Sequence, residues 1–539
     1  MAYVTLVLSG TYREIEAGER SIATRLAERH AFHYSGFLAQ LHAVRRRKRV
    51  RTLVIECRED FLPVYSAAAE AIRRDLAALR DSGIEIHFHA PRYSEATLYI
   101  ASACNYRYIA PLGTVSLSGF GRTFLFFRRV LDRQGIHAEV FRRGAYKSAA
   151  DPLRSDTLEP AARRQYQEYF DVQQREFNNT VSDSLCRSIA QIRELIDGRV
   201  LHDREAITEG WISEITTINE LTERFKTTKN KPVRMRVRSS GYGRGKQVAV
   251  LALDGAIVEG KSRRDPLMGS AIGSRSIVRQ ITQLRENKRC AAVVVRINSP
   301  GGSAAASELI RHELLRLADR KPLVVSMSTV AASGGYWIAT SAPLILAERT
   351  TLTGSIGVIG LIMTAPKLFK RLGITHQTLK TGPYRDLGSP LRAMSIDEKQ
   401  LVEREIEYTY RRFLEIVAAA RKLSVDHVHQ IAQGRIWDGA EALRQRLVDE
   451  IGGLPQAMDR AAALASLSRP AVRFYPQYKP GLVDRLISSR SSTSLPGTIA
   501  TLTHPAIDLG AAIDSLRRTP LAILPQALYS TVQSTVSSM

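Results

Sequence analysis

Acidic residues are in deficit: 53 Asp and Glu stand against 77 Lys and Arg, a formal net charge of +24 over 539 residues. Such an excess raises nucleic acid or an anionic membrane surface as partners. The chain has no zinc-finger spacing and no RNP-like aromatic motif, and its arginines are spread along its length. Nucleic acid is therefore set aside, and solvated or membrane-facing charge is favoured. Cysteine is scarce. Cys57, Cys104, Cys186 and Cys290 lie far apart and form no C-x-x-C, which excludes a disulfide framework and a zinc site and leaves free, mostly buried thiols. No motif calls for a metal or an organic cofactor. Residues 1–10 read as a short strand without a basic or an apolar leader region, so the sequence as written has no signal peptide and no transmembrane anchor. One charge-free run, Pro322–Ala347, has 26 residues, enough to cross a bilayer. It carries Ser326, Ser328, Ser333, Gly334, Gly335 and Pro343, and a buried strand followed by a buried helix explains it better.

What is present is ordinary globular composition, 44% apolar and 24% charged, in a chain long enough for about two to four domains. Strand patterns at Val4–Leu8, Thr52–Ile55, Ile84–His89 and Tyr108–Ile109 alternate with helical ones at Tyr65–Ser82 and Ser94–Ala103. The order returns at Val248–Leu253, Ala292–Ile297, Ala304–Ala318, Leu323–Met327 and Leu344–Ala347. Alternation of this kind predicts an α/β fold with a largely parallel sheet. The return is also literal. Tyr99-Ile100-Ala101-Ser102 matches Trp337-Ile338-Ala339-Thr340, and Gly144-Ala145-Tyr146-Lys147 matches Gly382-Pro383-Tyr384-Arg385, both 238 positions apart. Gly198-Arg199-Val200 matches Gly434-Arg435-Ile436 at 236. The chain is two copies of one unit. We expect an N-terminal repeat at 1–232, a basic linker at 233–247, a C-terminal repeat at 248–472 and a partly disordered extension at 473–539. Each copy carries a long helical insertion, Glu159–Ser182 and Asp397–Leu423, placed to pack copy on copy or subunit on subunit.

Chemistry concentrates in the second copy. Ser333 follows an apolar strand, precedes Gly334-Gly335 and opens a helical pattern, a way to present a hydroxyl at a helix N-terminus. A small-residue turn in a buried unit would look the same. Asn298-Ser299-Pro300-Gly301-Gly302 joins a strand to a helix, where backbone N–H groups can serve as an oxyanion hole, or simply make a tight turn. A serine nucleophile needs a base. No histidine lies between Ser333 and His376. His376 falls in a strand-like stretch, Thr375–Leu379, and His312, His427 and His429 sit in polar helices. Lysine can serve if burial lowers its pKa by about three units, and arginine cannot. At matched positions the first copy has Lys147 and the second Arg385, while Ser333 is matched by Glu95. Each copy holds half of a dyad, unless Lys147 is an ordinary surface lysine.

These residues resemble the signal peptide peptidase A (protease IV) family in its long, duplicated form. The resemblance runs over about residues 1–470. It rests on Asn298–Gly302, Ala332–Trp337, Thr353–Val358 and Ala145–Ala149 with Pro152. It implies two tandem crotonase/Clp-protease-like α/β repeats with long helical insertions, and a serine endopeptidase acting through a Ser/Lys dyad. By that resemblance Ser333 is the nucleophile, Lys147 the general base and Ser355 the residue that orients the lysine, with the oxyanion held at Gly301 and Gly302. Ala332, Gly334 and Val358 would border the substrate. The resemblance also implies signal-peptide remnants or other small or hydrophobic peptides as substrates, a bowl-shaped homotetramer and attachment to a membrane. The missing anchor leaves the side of the membrane undetermined and a cytoplasmic location open. The basic surface and the tail offer a peripheral route. Two rivals share the fold: a crotonase-type acyl-CoA enzyme and a non-catalytic membrane-associated scaffold.

Overall fold

A computed structural model describes residues 2–16, 31–62, 65–226, 231–233, 240–265 and 269–476. Most of the extension expected at 473–539, and the middle of the linker, lie outside the described residues.

The first sheet is built on β1 (Ala2–Leu8), β2 (Val50–Cys57), β3 (Glu85–Tyr93) and β4 (Tyr106–Val115), hydrogen-bonded in that order and all parallel. The crossovers include α1 (Ala67–Asp81) and the short α2 (Glu95–Ala101). Lys231–Pro232 extends this sheet beside β1. Next come β5 (His137–Arg143) and α3 (Pro160–Leu185), a 26-residue helix that opens on proline, where the missing N–H costs nothing.

The second sheet repeats the plan with β6 (Gln247–Asp254), β7 (Cys290–Ser299), β8 (Leu323–Ala332) and β9 (Leu344–Ala347), again parallel and in order. Its helices include Ser274–Glu286, α4 (Ala304–Ala318) and α5 (Gly334–Ala339). Two further strands follow, β10 (Leu352–Gly354) beside the end of β8 and β11 (Val358–Thr364). Then come α6 (Ile396–Arg421), α7 (Leu454–Leu464) and β12 (Ala471–Tyr475), which pairs with β6. The insertion helices α3 and α6 have equal length, and each ends on a left-handed residue, Cys186 and Lys422.

The strands of the second sheet are buried on both faces, which is why they read as unbroken apolar runs. Alternate residues serve different cores. Ala249, Leu251 and Val293 face one cluster with α4 and α6, while Val248, Val250 and Val294 join Val4, Leu53 and Ile72 of the first unit. Helix α7 contributes Leu454, Ala457 and Ala461 to that shared core. The copies are thus welded through one face of the second sheet.

Pro322–Ala347 is the buried strand, corner and helix expected, and among the described residues no helix is long and apolar enough to cross a membrane. Cys57, Cys104 and Cys290 are buried free thiols and Cys186 is exposed. One expected strand is not formed. Thr375–Leu379 is irregular and exposed, with Leu379 88% accessible. Its counterpart in the first copy is β5, which pairs antiparallel with β11 of the second copy from Arg143↔Val358 to His137↔Thr364. The reciprocal partner for Thr375–Leu379 would be the stretch 120–126, which is irregular as well.

Candidate active site

Ser333 sits at the corner where β8 turns into α5. Its backbone is held at φ 54°, ψ −119°, a left-handed conformation that strains a residue with a Cβ. Three neighbours hold it there. The Ser333 N–H donates to Gly354 O at 2.9 Å. Gly301, at φ 106°, packs so close that a Cβ on it would lie 2.7 Å from Ser333 Cβ. Gly334 likewise has no room, since a Cβ there would lie 2.5 Å from Ser307 Oγ.

Lys147 comes from the other copy, on the loop after β5. That loop docks on the loop before Ile436–Trp437. Tyr146 N–H donates to Gln433 O at 2.9 Å, and Gly144, at φ 108°, lies flat on Gln433. Gly434 does the same beneath the lysine: a Cβ there would lie 2.6 Å from Lys147 Cβ. The Lys147 side chain is buried, and its Nζ lies 2.9 Å from Ser333 Oγ, 2.8 Å from Ser355 O and 2.9 Å from Ser355 Oγ. Burial alone lowers the amine to about 7, because a charged ammonium loses its water there without gaining a carboxylate. Ser355 is also left-handed (φ 52°) and is fixed by its N–H donating to Arg435 O at 2.7 Å.

Beside Ser333 the strand-to-helix loop supplies unspent donors. Ile257 bridges it through its N–H to Gly301 O and its carbonyl to the Ser303 N–H, both at 2.9 Å. That pattern leaves the Gly302 N–H outside the bridge. The Gly334 N–H opens α5 and so has no intrahelical acceptor. A Cβ on Gly334 would lie 3.2 Å from Gly302 N, which puts the two donors side by side. Gly301, expected to share in the oxyanion hole, directs its own N–H at Ser299 Oγ, 3.2 Å away.

The cleft in front has a volume of about 460 Å³. Its apolar wall includes Trp337, Val358, Ile359, Leu361, Phe413 and Ile436. Lys147 is the one lining residue with a cationic or carboxylate side chain, and no histidine lines the cleft. His312, His376, His427 and His429 are exposed. Of the expected substrate contacts, Gly334 and Val358 lie on the cleft, while Ala332 is buried behind the serine, off its wall. Sequence reasoning passed over Gly434, visible only as part of a repeat, and Gln165, a buried helical glutamine with no motif around it. Among the described residues no cluster of His, Cys, Asp or Glu could hold a metal ion.

The sequence profile of peptidase family S49 matches residues 78–231 and 316–468, one window in each copy. Protease 4 of Salmonella typhi is 32% identical over 474 residues, covering 84% of this chain and 76% of that protein. The chloroplastic serine protease SPPA of Arabidopsis thaliana is 32% identical, covering 83% of this chain and 67% of its own. A putative signal peptide peptidase SppA of Enterococcus faecium is 31% identical over 215 residues, 40% of this chain and 62% of that protein. With two family windows on two α/β units of the Clp-protease/crotonase type, the chain belongs to peptidase family S49 and is a serine peptidase.

Proposed function

We propose that Ser333 and Lys147 form a catalytic dyad split between the two copies, cleaving small or hydrophobic peptides such as signal-peptide remnants. The observation that carries this is the environment of Lys147 Nζ. A neutral amine has two N–H donors and one lone pair. Two of the three oxygens around it, Ser355 O and Oγ, can take the donors, and the lone pair then faces the Ser333 hydroxyl. Ser355 thereby orients the amine.

In the reaction the Ser333 O–H proton passes to Lys147 Nζ as Oγ bonds to the scissile carbonyl carbon. The negative oxygen rests on the Gly302 and Gly334 N–H groups. The C–N bond breaks as the Lys147 ammonium returns its proton to the leaving amine. A water then loses a proton to the neutral Lys147 amine as it attacks the ester carbonyl, and the Lys147 ammonium returns that proton to Ser333 Oγ as the C–O bond breaks, releasing the acid and freeing Ser333. Because the base must be neutral, activity rises with pH through about 7, the value to which burial brings the lysine. The apolar wall and the absence of charge opposite the serine favour apolar substrate side chains. Membership of a serine peptidase family sets the acyl-CoA and scaffold readings aside.

The test is mass spectrometry of the protein quenched while hydrolysing an activated peptide ester. An acyl group on Ser333 in the native protein, absent in Lys147→Ala, is expected. An acyl group on another residue would end the proposal.

Assembly has its own support. The pairing of β5 with β11 joins copy one to copy two inside the chain, and the equivalent segments 375–381 and 120–126 are left without it. They would meet head to tail between chains, in the register Phe120↔Thr381 to Phe126↔Thr375. The homotetramer is one closed form of such an interface. The net charge of +24 supports peripheral contact with an anionic membrane surface, which would bring membrane-derived peptides to the cleft.

A further inference from the structure

Helix α3 belongs to the first copy, yet one stripe of it reaches the second. Gln165, Glu168 and Tyr169 stand at helical spacing i, i+3, i+4 and so share a face. Glu168 pairs with Arg435 at 2.6 Å, and Tyr169 OH donates to Thr350 O at 3.0 Å. Gln165 differs from both in being 2% exposed and in spending its amide on backbone alone. Its Nε2 donates to Tyr146 O at 3.0 Å, and its Oε1 accepts the Ile436 N–H at 3.1 Å. A carbonyl only accepts and an N–H only donates, so the orientation of the amide is fixed by its partners.

Those partners matter. Tyr146 O is the carbonyl immediately before Lys147. Ile436 follows the Gly434-Arg435 pair, whose glycine lies against Lys147 and whose Arg435 carbonyl fixes Ser355. One side chain therefore ties the lysine-bearing loop of the first copy to the lysine-orienting loop of the second. We infer that Gln165, which borders the cleft with its amide spent on backbone, is a positioning residue for the split dyad, setting the placement of Lys147 against Ser333 and Ser355. This rests on the Ser333/Lys147 reading.

The physical consequence is specific. No carboxylate or second cation lines the cleft, so the protonation of Lys147 depends on how dry its place is. Loosening the loop admits water, stabilises the ammonium and removes the lone pair that the serine needs.

The experiment compares Gln165→Met, which keeps the length and loses both hydrogen bonds, with Glu168→Gln on the exposed part of the stripe. It reads kcat, KM, the acid limb of kcat/KM and Tm, with Lys147→Ala in the same assay. Gln165→Met is expected to lower kcat by about 10–100-fold, leave KM within about twofold, and move the acid limb to higher pH. Glu168→Gln is expected to leave kcat and the limb unchanged. A Gln165→Met protein with native kcat and limb overturns the assignment. So does one whose deficit disappears when assayed well below its Tm, since that is stability alone. Activity surviving in Lys147→Ala means that the dyad reading has failed. Loss in Lys147→Ala beside a native-like Gln165→Met sinks the positioning role only.

Discussion

The two copies share a fold and differ at one corner. In the second, β8 turns at Ser333 beside Gly301 and Gly302. In the first, β3 turns at Ser94, the residue matched to Ser333 is Glu95 at the start of α2, and the sequence at the oxyanion-loop offset reads Pro63-Val64. Glu95 is buried and turns back onto its own copy, accepting the N–H groups of Ser118 and Gly119, the latter at 2.8 Å. Its Oε1 is tied to that loop, and a carboxylate at this position supplies no nucleophilic hydroxyl. The lysine shows the reverse asymmetry. Lys147 is buried in the first copy, and Arg385 is exposed in the second. On the proposed split dyad, duplication let each copy give up half of the chemistry, and the inter-copy contact serves the active site as well as packing.

The sharpest way to break this comparison is to make the copies alike. Lys147→Arg keeps the charge but removes the neutral base, and peptidase activity is expected to fall by about 10⁴-fold, measured as kcat/KM on an apolar peptide. Adding Arg385→Lys is expected to restore nothing, because that position is exposed and a lysine there keeps its charge in water. Next comes the contact itself. Gly434→Ala must place a methyl against Lys147 at φ 77° and is expected to cost about 100-fold in kcat with little change in KM. A smaller effect concerns assembly: Leu379→Asp is expected to lower the sedimenting mass while leaving activity per site largely intact. The smallest is thermodynamic. Lys147 titrates near 7 folded and near 10.5 unfolded, so between those values the unfolded chain binds more protons and stability rises with pH. The cost of burying the amine is full below 7 and gone above 10.5. Lys147→Met is therefore expected to raise Tm by about 3 °C at pH 6, with the gain fading toward pH 10.5.

Much of this was legible in the sequence because the repeat keeps its register. Matching Gly144–Lys147 to Gly382–Arg385 places the lysine without coordinates, and buried strands such as Ala292–Ile297 announce themselves by composition. What was illegible depends on partners far along the chain. The strand read as Leu323–Met327 continues to Ala332, through Ser328, Thr329 and two alanines, because β10 pairs with its end and Thr353 Oγ1 donates to Ala331 O. Local propensity contains no trace of that. Thr375–Leu379 has strand character and no strand, since the exchange of β5 and β11 between copies leaves it alone. Arg296, wholly buried in β7, would be intolerable unpaired. Its carboxylate is Glu14, 3.0 Å away and in the other copy, and Ser328 Oγ donates to the same group. Gln165 had no signal because a glutamine in an amphipathic helix is ordinarily solvated.

The central claim is that one serine and one lysine, from different copies, act as a unit. The most direct measurement is a double-mutant cycle on kcat for Ser333→Ala, Lys147→Ala and the pair, using one apolar peptide. Groups that work as a unit are non-additive, so each single variant is expected to be as inactive as the double, down by about 10⁴-fold or more. A single variant that keeps near-native turnover, or losses that simply multiply in the double, would contradict the split dyad.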